Sequence, residues 1–164
     1  MIWTKWRTGC ASTIPNNRCI AYLNLKDYPK AIADCTQALK VNPNDYNAFN
    51  NRALARSAGG DAQGAIADFT AAIGFNPNNA EAYANRAKIY HQLNNYNSAI
   101  ADYVQATRIS PNYAAAYYGR GMVRRSLGDK AGAISDLEKA GKMFLDQGLT
   151  GGYKDAQFEI EKLK

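Results

Sequence analysis

The sequence holds little of what several protein classes depend on. One histidine and three cysteines stand among 164 residues, too few for most zinc sites or for a disulfide-dense secreted scaffold. Cys10, Cys19 and Cys35 show no C-x-x-C spacing, so they read as small buried hydrophobes in a reducing, cytoplasmic setting. β-Branched residues are scarce, with 21 Val, Ile and Thr against 28 alanines, which disfavours a sandwich, a barrel or a parallel sheet. No stretch approaches the roughly 18 apolar residues of a membrane span, and the opening residues lack the apolar centre of a secretory signal. A sustained basic stripe is missing too. The net charge of +6 divides as +4 over residues 1–40, zero over 41–110 and +2 over 111–164, which disfavours a surface that tracks nucleic-acid phosphates.

What is present is a repeat. Ala31-Ile32-Ala33-Asp34 returns as Ala65-Ile66-Ala67-Asp68, Ala99-Ile100-Ala101-Asp102 and Ala133-Ile134-Ser135-Asp136, each 34 residues after the last. Asn17-Arg18, Asn51-Arg52 and Asn85-Arg86 keep the same step, with Gly119-Arg120 as the fourth copy. In the third copy Tyr83, Arg86, Ala87 and Tyr90 fall at i, i+3, i+4 and i+7, one face of a helix. Asn94-Asn95 breaks that pattern, and Ala99, Ile100, Tyr103 and Ala106 form a second stripe. Ser110-Pro111 ends it, because a residue before proline is pushed out of the α region. Each copy is therefore expected to be a helix, a turn and a second helix. Ala31, Ala65, Ala99 and Ala133 are the points of close helix approach, opposite the small residues Cys19, Ala53, Ala87 and Gly121.

Tyr83, Ala87, Tyr90, Leu93, Tyr96, Ala99, Tyr103, Ala106 and Pro111 resemble the tetratricopeptide repeat in residue type and spacing. Copies of the Asn-Arg style are similar to bacterial members of that family. The resemblance implies an all-α fold: a right-handed α-solenoid of four helix-turn-helix units, about 12–45, 46–79, 80–113 and 114–147, within a repeat region 15–147. Residues 148–164 would form a C-terminal capping helix, and residues 1–14 a non-repeat segment. The helices are expected near 15–25, 29–41, 45–58, 62–74, 79–93, 96–109, 113–127, 130–147 and 151–163. Some positions depart from the pattern: Pro15 replaces an aromatic, Arg56 and Arg124 stand where Tyr22 and Tyr90 do, and Leu145 replaces the terminating proline. On the capping helix Tyr153, Ala156, Ile160 and Leu163 share one side, with Glu159, Glu161 and Lys162 on another. Trp3 and Trp6 would cap the first unit or insert against a neighbouring chain.

Catalysis is not expected. A lone His91 supports no catalytic triad or metal set, no glycine loop cradles phosphate, and the recurring aspartates come one per copy. Neither a metal nor a cofactor is implied. Arg18, Arg52, Arg86 and Arg120 precede Asp34, Asp68, Asp102 and Asp136 by 16 residues each, and are read as structural ion pairs, since a half-buried charge left alone is costly.

The resemblance also assigns a concave face to the first helices. Asn17, Asn51, Asn85, Lys88, His91, Tyr118, Met122 and Arg125 are the candidate peptide-binding residues. An amide offers a donor and an acceptor, which suits a peptide backbone, and some family members use such an asparagine ladder; the alternative is a solvated polar face. The lysine–asparagine–arginine clamp of chaperone-tail binders is missing, since the matching positions read Asn16/Ile20 and Asn50/Leu54. Two functions remain: an adaptor for a protein or peptide partner, or a self-assembling homo-oligomer using terminal faces or the Trp3/Trp6 segment. A helical-repeat RNA binder is a weaker third, because Lys88 and Arg125 are the only cations at these positions.

Overall fold

The computed structural model describes residues 15–164, and in it the repeat is written first in the turns. Lys26, Gly60, Asn94 and Gly128, spaced by 34 residues, all hold φ between 58° and 90°, the left-handed conformation that stops a helix. The residue after each is the cap of the next helix. Asp27, Asp61, Asn95 and Asp129 accept hydrogen bonds from the backbone N–H groups of Lys30, Gly64, Ser98 and Gly132. One stop and one start, two residues in all, turn the chain back on itself.

The helices are α1 (15–24), α2 (Tyr28–Val41), α3 (Tyr46–Ala58), α4 (Ala62–Phe75), α5 (Ala80–Gln92), α6 (Tyr96–Ile109), α7 (Ala114–Ser126), α8 (Lys130–Asp146) and α9 (Thr150–Glu161). Their ends fall within two residues of those expected, and no strand occurs among the described residues. None of these helices is long and apolar enough to cross a membrane. Residues 1–14, with Trp3, Trp6 and Cys10, lie outside the described residues, so the readings of that segment are not addressed.

The chain divides after Asn78 into two compact units. In the first, α3 packs on α2 and α4. Its core joins Cys19, Ala31, Cys35 and Ala55 beneath Tyr22, Leu23 and Ile32, with a second group of Ala38, Leu39 and Ala48 against Phe49. In the second unit α5 pairs with α6 and α7 with α8, while α9 packs on α8 as the cap. Ala84, Ala87, Ala99, Tyr103, Ala106, Ala116 and Val123 form one core group there. Ala133, Leu137, Ile160 and Leu163 form the other. Alanines at the crossings are fully buried, as at Ala31, Ala65, Ala99 and Ala133, because only a methyl lets two helices approach this closely.

One expectation is corrected. Cys19 and Cys35 are buried, but they are bonded to each other as a disulfide, with Cα atoms 5.5 Å apart. The same 16-residue step that sets each arginine opposite its aspartate sets the next residue of each helix face to face. Gly121 and Leu137 show that geometry: a Cβ on Gly121 would stand 3.0 Å from Leu137 Cγ. The reading of a reducing compartment rested on unpaired cysteines and loses that support.

Candidate functional site

Each Asn-Arg arginine reaches the aspartate 16 residues on, within its own hairpin. Arg18 Nη2 donates to Asp34 Oδ1 at 2.7 Å. Arg52 grips both oxygens of Asp68, Arg86 those of Asp102 and Arg120 those of Asp136, at 2.6–2.8 Å. The four carboxylates are buried, so each needs the planar two-pronged donor that arginine supplies. Arg52 donates to Thr36 and Arg120 to Thr107, bonds that tie each hairpin to the one before. Hydrogen bonds to Asp102 and Asp136 raise Arg86 and Arg120 further above the ordinary arginine range.

Shielding of the guanidinium depends on the aromatic three residues earlier. Arg52 lies over Phe49, Arg86 over Tyr83 and Arg120 over Tyr117, each 5.3–5.7 Å from the ring centre. In the first copy that place belongs to Pro15, and the Arg18 side chain is 58% exposed against 14–15% for the other three.

The sequence reading missed two more arginines. Arg56 donates to Asp68 and to the carbonyl of Gly64, and Arg124 repeats this with Asp136 and Gly132. A side chain at Gly132 would put its Cβ 3.0 Å from Arg124 Cδ. The signal was in the sequence: the second and fourth copies carry arginine with glycine eight residues on, whereas the first and third pair Tyr22 with Lys30 and Tyr90 with Ser98.

The candidate peptide-binding residues fall in both units. In the first, Asn51 Nδ2 donates to Asn16 Oδ1 at 3.0 Å, and the neighbouring Asn50 has a buried Oδ1 with no hydrogen-bond partner. Asn17 is exposed. In the second, α5 exposes Lys88 and Gln92 and half-exposes Asn85 and His91. His91 Nε2 lies 3.1 Å from Ser126 Oγ. Ser126 gives its single hydroxyl proton to the Met122 carbonyl, so Nε2 of His91 is the donor of that pair. Burial, with a smaller contribution from Arg125, lowers the His91 pKa below 6.5.

Three candidates are already engaged. The Tyr118 ring meets Phe144 edge-on at 6.3 Å, and burial pushes its phenol pKa up. Met122 packs with Tyr118 on the core group of Leu137 and Ile160. Arg125 forms an ion pair with Glu159, which also accepts from Lys162 at 3.0 Å. Glu159 is thus 9% exposed and pairs with α7, unlike Glu161, its expected companion on that side of the cap, which stays exposed. At the fourth place of the asparagine ladder, Gly119 leaves room for the Tyr103 ring: a Cβ there would fall 2.3 Å from Tyr103 Cζ. Among the described residues no three His, Cys, Asp or Glu side chains gather where a metal ion could be held.

Family models described as TPR repeat match residues 55–94 and 87–128, and models described as tetratricopeptide repeat match 16–45 and 114–143. No curated protein sequence matches the chain. Among solved structures, the MamA protein is similar with a TM-score of 0.75 at 21% identity, covering 94% of this chain and 92% of that one. The Arabidopsis OM64 TPR domain is similar with a TM-score of 0.71 at 27% identity, covering 73% of this chain and 98% of its own. The first TPR of Spaghetti (RPAP3), bound to an HSP90 peptide, gives a TM-score of 0.70 at 21% identity over 72% and 94%.

Proposed function

This chain belongs to the tetratricopeptide repeat family, and from that premise we propose that it is a protein-interaction adaptor holding a peptide segment of a partner against its first helices. The observation that carries the reading is the asymmetry of α5. Asn85, Lys88, His91 and Gln92 keep their polar groups exposed or half-exposed, while Ala82, Ala87 and Ile89 are buried. A helix seated on packed neighbours, with amide, ammonium and imidazole on its open side, supplies donors and acceptors for a peptide backbone. A solved relative of the same fold binds a peptide, which supports the general mode. Its ligand class does not carry over, because the positions of the clamp are Asn16/Ile20 and Asn50/Leu54. On the second unit, Asn85, Lys88 and His91 of α5 are the contacts assigned to the partner. Tyr118, Met122 and Arg125 edge the same site, half-covered by α8 and α9.

The test is capture of partners from the source cell followed by titration of one partner against Asn85→Ala/Lys88→Ala. Weaker binding with unchanged thermal stability supports the site. Undiminished affinity moves it off these helices.

A second reading, self-assembly through a terminal face, has its own support at the end of the second unit. Leu145, Leu149 and Phe158, on α8, the turn that follows it and α9, are each more than half exposed. Light scattering on Phe158→Glu separates the readings: an oligomer that falls apart favours assembly, and a monomer before and after favours the adaptor.

A further inference from the structure

We propose that the Cys19–Cys35 bond is a reducible latch on the first hairpin, so that the redox state of this pair decides whether α1 stays docked. It is independent of the peptide-binding reading. The argument begins with what the same two positions hold elsewhere. The later copies place Ala53 with Phe69, Ala87 with Tyr103 and Gly121 with Leu137, a small residue opposite a large one. Phe69 and Leu137 are wholly buried and Tyr103 nearly so. The first hairpin has no such side chain. Two cysteines fill the place, and both are wholly buried. Together they bring four side-chain heavy atoms, as Gly121 and Leu137 do, and about half of what Ala53 with Phe69 or Ala87 with Tyr103 brings. The covalent bond stands in for a missing core residue.

Besides the packing of Tyr22 and Leu23 on this core, α1 is held by few polar ties among the described residues. Arg18 is the exposed member of its ion-pair set, although its partner Asp34 is buried. Asn16 is held by the side chain of Asn51, and Tyr22 lies 5.4 Å from the Lys30 ammonium. Opening the disulfide therefore removes the covalent restraint between α1 and α2, in the hairpin whose arginine lacks the aromatic shield of the other three.

The redox step balances with a dithiol as reductant. A thiolate of the dithiol attacks one cysteine sulfur and forms a mixed disulfide, and its second thiol closes on the first to give the oxidised dithiol. Two electrons pass to the protein, and Cys19 and Cys35 leave as thiols with one proton each. Both sulfurs are buried, so the attack waits on a local opening of the hairpin that exposes one sulfur while the bond is still intact. Undocking of α1 comes only after reduction. Oxidation reverses the step only while the cysteines are held face to face.

The test is hydrogen exchange on the full chain carrying Cys10→Ser, which removes the third thiol, with and without dithiothreitol. Reduction should lower protection across residues 15–41 by roughly a hundredfold and leave residues 79–164 unchanged. Cys19→Ser/Cys35→Ser should behave as the reduced protein under both conditions. Cys19→Ala/Cys35→Phe, which rebuilds the second copy's pair, should stay protected whatever the reductant. Equal protection of 15–41 in both redox states overturns the proposal. So does equal loss throughout the chain, or alkylation of both cysteines in protein isolated in air without reductant.

Discussion

Arg86 grips both oxygens of Asp102, through Nε at 2.7 Å and Nη2 at 2.8 Å, on a carboxylate that is 6% exposed. The two side chains lie on successive helices of one hairpin, so the pair fixes how α5 and α6 meet. Its value lies in what either partner costs when left alone. Arg86→Ala is expected to destabilise by about 3–5 kcal/mol, because it strands a buried charge. Arg108→Ala, on an exposed position of α6, should stay within about 0.5 kcal/mol. Arg18→Ala also strands a buried carboxylate, since Asp34 is 8% exposed, and should cost less than Arg86→Ala only by what the open Arg18 side chain itself contributes. Arg86→Met with Asp102→Leu should recover most of the loss, which urea unfolding of the four variants would show.

Gly119 is a packing glycine. A methyl there would stand 2.3–2.6 Å from Cζ, Oη and Cε1 of Tyr103, a residue that is 5% exposed. Overpacking of this kind costs about 1–3 kcal/mol, against about 1 kcal/mol gained from alanine's helix propensity. Gly119→Ala should therefore lower the melting temperature. In a Tyr103→Leu background, where the clash is gone, the same change should become neutral or stabilising.

His91 is the sole histidine, so its titration can be read without overlap by NMR. Its pKa is lowered by burial first and by Arg125 second. A lowered folded pKa means that the unfolded chain takes up its proton at higher pH than the folded one. The contribution of neutral His91 is thus present above about pH 6.5 and is lost as pH falls from there towards the folded pKa. Wild type should lose stability between pH 7 and pH 5.5 more steeply than His91→Gln. Arg125→Gln should raise the His91 pKa part of the way back, leaving the shift due to burial. A pKa at or above 6.5 in the wild type would sink both expectations.

The hairpins were legible because 34-residue spacing repeats every element of the pattern: stop, cap, small residue and acid. Pairing between helices was harder to read. The 16-residue step from arginine to aspartate stood out since charges demand partners, yet the adjacent step from Cys19 to Cys35 carries the same geometry and was passed over. Cysteine looks like any other small apolar residue in that slot. Arg56 and Arg124 were seen only as replacements for tyrosine, since their link to Gly64 and Gly132 appears only when the chain is compared with itself at twice the repeat length. Glu159 was harder for another reason. A carboxylate on a capping helix gives no sign of its burial until a cation on the preceding first helix, here Arg125, is seen to pair with it.

That contact between Arg125 and Glu159 decides how the cap is held and what Arg125 can do. Glu159 takes Arg125 from α7 and Lys162, the residue that caps the end of α9, and the two cations are 35% and 48% exposed. Glu159→Gln removes the charge while nearly preserving shape, so any loss is electrostatic. With partners this open to water the loss should be about 1 kcal/mol, seen as faster hydrogen exchange over residues 150–161 and little change over 80–109. Raising the salt concentration should narrow the gap between wild type and variant, because it screens the pair in the wild type alone. The same change releases Arg125 from its internal carboxylate. A short peptide rich in glutamate should then bind the variant more tightly than the wild type, with Arg125→Gln/Glu159→Gln returning to the wild-type level or below. Equal binding by all three would show that Arg125 serves only to hold the cap.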